Sequence, residues 1–110
     1  MASDLQFAAY KIEHLIKDVL EAYLRRIKYN PDRCSKLCQD LCSIIKTKTK
    51  ELATSRWKLV VQVLVGEDTD QRVQMASRCL WNQATDNFAS ATFRNKSLFA
   101  IGIVYGVHID

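Results

Sequence analysis

The sequence is poor in residues that interrupt regular structure. Its 110 residues hold one proline and three glycines. Collagen-like and low-complexity chains, which are dominated by those two residues, are excluded. No apolar run approaches the ~20 residues of a membrane-spanning helix. The N-terminus lacks the basic start, apolar middle and small-residue cleavage site of a secretion signal. There are two histidines, His14 and His108, and neither has a ligand or catalytic partner at a recognisable spacing. A glycine-rich phosphate loop, paired carboxylates and a nucleophile–base pair are likewise missing. The expectation is a protein that is not an enzyme and needs no cofactor and no metal.

What the chain does have is apolar and charged residues in globular proportion, 48% and 25%. A disordered chain does not carry so many hydrophobic residues. At this length one domain over 1–110 is expected, burying about two thirds of its unfolded surface. The net charge is +4. Residues 1–56 hold eleven Lys/Arg against seven Asp/Glu, and 57–110 hold five of each, so the first half carries the whole excess. The densest basic run, Lys46, Lys48, Lys50 and Arg56, reads as a solvated face or as a contact for an acidic partner. A small nucleic-acid-binding protein is the alternative function. It would need basic residues interleaved with exposed aromatics on one surface.

Cys34, Cys38 and Cys42 recur every four residues. Such neighbours do not pair easily along one helix, and the short knuckle of a zinc site is missing. Free thiols in a reducing compartment are expected, and Cys79 has no histidine placed to activate it.

Hydrophobic spacing divides the chain in two. Over 4–29, Leu5, Ala8, Ile12, Leu15, Ile16, Val19, Tyr23 and Ile27 recur at three- and four-residue steps, predicting a helix. Asn30 and Pro31 then make a cap and first turn. A second helix follows over 31–54, with Cys34, Leu37, Cys38, Leu41, Ile45 and Leu52 on its stripe. From Trp57 the period falls to two. Strands are expected at 57–65, 71–81, 87–94 and 97–108. The third has an edge character. In the fourth, Phe99, Ile101, Ile103, Tyr105, Val107 and Ile109 share one face, and Gly102 and Gly106 lie on the other, where a helix can approach closely. The order predicts an α+β two-layer domain, two helices on a four-stranded antiparallel sheet. Strands one and four are apolar in both phases, so one helical layer leaves apolar surface over, and self-association would cover it.

The segments Ser77–Arg78–Cys79–Leu80–Trp81, Thr85–Asp86–Asn87 and Asn95–Lys96–Ser97–Leu98–Phe99 resemble the C-terminal half of Tctex-type dynein light chains. Residues 57–67 look like that family's first strand, and Ile103–Val104–Tyr105–Gly106–Val107 its closing one. The likeness is nearer the Tctex1-domain-containing branch of ciliary and flagellar motors. It implies a non-catalytic light chain in the cytoplasm and cytoskeleton, or in the axoneme of a cilium or flagellum. It implies a homodimer, or a heterodimer with a related light chain, made by exchanging the strand at 71–81. The 66–70 loop by itself would equally allow a local hairpin. The expected partners are dynein intermediate chain and cargo proteins, with no membrane. An extended partner segment would add beside the exchanged strand. Carried onto this sequence, Met75, Ser77, Arg78, Cys79 and Trp81 are the candidate contacts.

Overall fold

A computed structural model describes residues 9–52, 57–69, 71–75 and 88–108. Two helices, α1 (Ala9–Leu24) and α2 (Cys34–Leu52), precede three strands, β1 (Trp57–Glu67), β2 (Phe88–Arg94) and β3 (Leu98–His108). The sheet is antiparallel in the order β1-β3-β2. The first helix packs on β2, the second on β1, and the two helices on each other. The α+β class and the segregation of helices to one face follow the sequence pattern.

The four-stranded sheet of a strand-exchanged dimer is corrected to a sheet of three strands, all within one chain, among the described residues. The change starts at residues 71–75, expected to be strand and found helical. Thr69 is the reason. Its Oγ1 accepts the Arg72 N–H at 3.2 Å and its carbonyl accepts the Val73 N–H at 3.0 Å. This local cap wins over the weak alternation of Val73 and Met75. Residues 76–81, the rest of that expected strand, lie outside the described residues.

The second helix starts at Cys34, three residues after the expected 31, beyond a turn that Asn30 holds. Asn30 Oδ1 accepts the Asp32 N–H at 2.9 Å, and the Asn30 carbonyl accepts the Arg33 N–H at 3.1 Å. The end of α1 is not local. Asn95, in the β2–β3 turn, donates from Nδ2 to the Leu24 and Ile27 carbonyls at 3.1 and 2.9 Å. Its Oδ1 accepts the Ser97 and Leu98 N–H groups at 2.7 and 2.8 Å. Ser97 Oγ accepts the Tyr29 N–H at 2.8 Å. This clasp satisfies carbonyls that a helix end leaves without partners, and it stops the helix five residues short of the expected 29.

The core joins Ile12, Ile16, Val19, Leu20 and Leu24 of α1 to Leu41 and Ile45 of α2 and to Leu59, Val65, Ala89, Leu98, Ala100 and Val104 of the sheet. The helices lie on the Gly102 face of β3. A Cβ at Gly102 would stand 2.5 Å from Ile16 Cγ2, so the missing side chain is what admits α1. Thr49 is fully buried on α2, and its hydroxyl has no partner among the described residues. The expected stripe on α1 is displaced. Leu20 and Leu24 are buried, whereas Tyr23 and Ile27 are 50% and 40% exposed. Beyond Ile16 the stripe can continue through Leu20 and Leu24 or through Tyr23 and Ile27, since both rows are apolar. The sheet takes the row that reaches the Asn95 clasp.

Candidate protein-docking surface

The hydrogen-bond phase of the sheet identifies which peptide groups face outward. Asn95 N–H donates to the Leu98 carbonyl at 3.0 Å. Counting along the hairpin in steps of two, Phe93 and Ala100 then exchange hydrogen bonds, and the odd residues of β3 turn to β1. Their partners are the even residues of β1. The Asp68 N–H on the Ser97 carbonyl, at 3.0 Å, continues the same phase. Leu59, Val61, Val63 and Val65 therefore direct their N–H and C=O groups to the free edge of β1. By the same count Phe88, Ser90, Thr92 and Arg94 direct theirs to the side of β2 away from β3.

The cysteines of α2 lie along part of the β1 edge. Cys34 Sγ donates to the Val65 carbonyl at 3.3 Å. Burial pushes the Cys38 thiol from 9.0 up to about 11, the neighbouring Cys34 adds to this, and a Val65 backbone hydrogen bond pulls the other way. Burial also raises Cys42, against a Val63 backbone hydrogen bond that lowers it. A hydrogen bond with that sign comes from an N–H facing the sulfur. Cys34 thus answers the outward carbonyl of Val65, and Cys38 and Cys42 lie beside the same stretch of the edge. Held protonated at neutral pH, Cys38 and Cys42 are poor nucleophiles. Among the described residues, no hydrogen bond reaches the outward groups of Leu59 and Val61, which stay open for pairing.

The face of the sheet away from the helices is apolar and partly open. Val60, Leu64 and Val107 are 39%, 50% and 53% exposed. Ile103, Tyr105 and Phe88 are half-buried beside them. The Phe88 and Tyr105 rings meet edge-on with centroids 5.1 Å apart. Phe99 closes the far end, its ring where a Cβ of Gly66 would be, 2.7 Å away. At the same end Arg94 holds Asp68 by two hydrogen bonds, of 2.7 and 3.3 Å.

Of the contacts expected from sequence, Met75 is placed in the 71–75 helical turn and is 61% exposed. Ser77, Arg78, Cys79 and Trp81 lie outside the described residues, so the structure does not bring the five together. Lys46, Lys48 and Lys50 are exposed on α2, as a solvated face requires. Sequence reasoning missed the open stretch at Leu59 and Val61. The signal was present in the period-two pattern, but pairing partners were needed to say which edge of the strand is free. Among the described residues, no group of three or more His, Cys, Asp or Glu is placed to hold a metal ion, and no helix is long and apolar enough to cross a membrane.

Comparison with known proteins adds a likeness over nearly the whole chain. Residues 6–107 match the Tctex-1 family. Dynein light chain Tctex-type 5-B of Xenopus laevis is 36% identical over 110 residues, which is 100% of this chain and 62% of that protein. Human dynein light chain Tctex-type 5 is 38% identical over 104 residues, 94% of this chain and 58% of the relative. Mouse dynein light chain Tctex-type protein 2B is 39% identical over 101 residues, 92% and 70% of the two lengths. The chain thus spans about three fifths of the two type 5 relatives.

Proposed function

The chain belongs to the Tctex-1 family, and from that premise we propose that it is a non-catalytic dynein light chain that docks extended segments of partner proteins by strand addition. The observation that carries the mechanism is the open stretch of β1. Among the described residues the outward peptide groups of Leu59 and Val61 have no partner, and a partner strand would complete that ladder. Backbone bonds would supply affinity and flanking side-chain pockets the sequence preference. The partners in this reading are a dynein intermediate chain segment and cargo proteins. Met75, Ser77, Arg78, Cys79 and Trp81 are the further contacts implied by the resemblance; exposed Met75 is available to such a segment.

The same reading includes a dimer with a second copy or a related light chain. Its support is the outer sheet face, where three large aliphatic side chains stand at least 39% exposed. It also includes the ciliary and flagellar branch. Likeness to types 2B and 5 does not separate the branches, and localisation does. A tagged chain should concentrate in axonemes and co-purify with their dynein; uniform cytoplasmic distribution would remove the ciliary part. For the mechanism, sedimentation of the chain alone and with an intermediate-chain peptide should give a dimer that takes up peptide. A monomer with no uptake at high concentration contradicts both.

A further inference from the structure

We propose that the outer groove between α1 and α2 is a second docking surface, whose occupant is an amphipathic helix of a partner protein with acidic turns at one end. This inference is independent of the sheet edge.

Three hollows run along the two helices and share side chains. The first, about 500 Å³, lies where α1 ends and α2 begins, around Ile27 and Leu37. The second, about 400 Å³, continues from Leu37 past Ile44 to Tyr23. The third, about 720 Å³, continues from Tyr23 to Leu52. Leu37 joins the first to the second, and Tyr23 joins the second to the third. The floor is therefore a continuous apolar strip. Tyr23, Ile27 and Leu52 are each at least 40% exposed along it. The strip follows the nineteen residues of α2, roughly 28 Å, the length of about five helical turns. A furrow between two helices receives the side-chain ridge of a third.

Charge selects the occupant. Arg26, Lys28, Arg33 and Lys36 line the first hollow against a single carboxylate, Asp40. None of the four cations makes an ion pair among the described residues. Arg33, Lys36, Leu37 and Asp40 follow helical i, i+3, i+4, i+7 spacing, so the charges and the apolar strip share one side of the α2 start. At the other end, Lys11 and Lys48 are balanced by Asp18 and Glu51. The groove thus has one cationic end and one neutral end, and an acidic-ended helix matches that gradient. Nucleic acid is disfavoured because the side chains around the cationic hollow include no aromatic ring on which a base could stack.

The test uses a synthetic helix of about five turns with Leu at i, i+3, i+4 and i+7 and Glu in its first two turns. One control scrambles the Leu stripe, a second replaces Glu by Lys, and a third is a single-stranded oligonucleotide. Each is titrated into the isotope-labelled chain at low and at physiological salt. The Glu peptide should shift the amides of Tyr23, Ile27, Leu37 and Ile44. Arg33→Glu/Lys36→Glu changes two exposed side chains. It should weaken the Glu peptide roughly tenfold at low salt, the scale of two exposed ion pairs lost together, and improve the Lys peptide. The proposal is overturned if the Glu peptide does not bind, if scrambled or Lys peptides bind the native chain equally well, if the oligonucleotide takes the site more tightly, or if the shifts fall on the sheet. Val61→Pro, whose lost N–H lies on the β1 edge and away from the α1–α2 groove, should leave this binding unchanged in a chain that stays folded, so failure here and failure of strand addition read differently.

Discussion

The two faces of the sheet differ most around Gly102. Around Gly102 the covered face of β2 and β3 is small: Ala89, Ala91, Ala100, Gly102, Val104 and Gly106 lie under the helices, with the larger Phe93 and Leu98 toward the β2–β3 turn. The outer face carries Phe88, Ile103, Tyr105 and Val107, with Val60 and Leu64 across on β1, beside Phe99 and Ile101, which are buried. Hydropathy alone would bury the second set first. Space decides otherwise, because large side chains under α1 would hold it away from the sheet, while small ones let Ile16 come into contact. A face that is covered within the chain can be small. A face that carries bulk at its surface is suited to a second body.

The largest expected effect on that contrast comes from Gly102→Val. It forces side-chain atoms into the place of Ile16 Cγ2 and should cost about 3 kcal/mol in denaturant unfolding. Asn95→Ala removes four hydrogen bonds at the clasp. It should cost about 2 kcal/mol, with faster amide exchange at the end of α1. Thr49→Val keeps the shape of a buried side chain and removes a hydroxyl that has no partner among the described residues; a gain of about 1 kcal/mol is expected by thermal unfolding. On the outer face, Leu64→Thr/Val107→Thr should change the stability of the isolated chain by no more than about 0.5 kcal/mol while weakening self-association in sedimentation equilibrium. A loss as large as that of Gly102→Val would mean the outer face is core, and the contrast would fail.

Much of this architecture was legible in the residues. The change of period at Trp57, the Asn30 cap, the edge character of 87–94 and the close helix approach at Gly102 all follow local patterns. The illegible parts depend on distant partners. Residues 71–75 alternate weakly enough that a single Thr69 cap turns them helical. The end of α1 is set by Asn95, 71 residues after Leu24. Tyr23 and Ile27 belong to an apolar stripe that is one choice of two, and the clasp decides between them. The charged hollow was hidden because its cations are divided between the end of one helix and the start of the next, whereas Lys46, Lys48 and Lys50 drew notice by being close in sequence. For the candidate site, period two marked β1 as a strand, and the pairing with β3 was needed to show which of its peptide groups are free.

The most direct measurement is a pair of proline substitutions on adjacent residues of β1, each titrated with a dynein intermediate chain peptide. Val61→Pro removes an outward N–H and leaves the ladder with β3 intact; Val60→Pro removes a ladder donor to Tyr105. The account predicts that Val61→Pro stays folded and loses the peptide, while Val60→Pro is strongly destabilised. A folded Val61→Pro chain that binds the peptide as tightly as the native one would contradict strand addition at this edge.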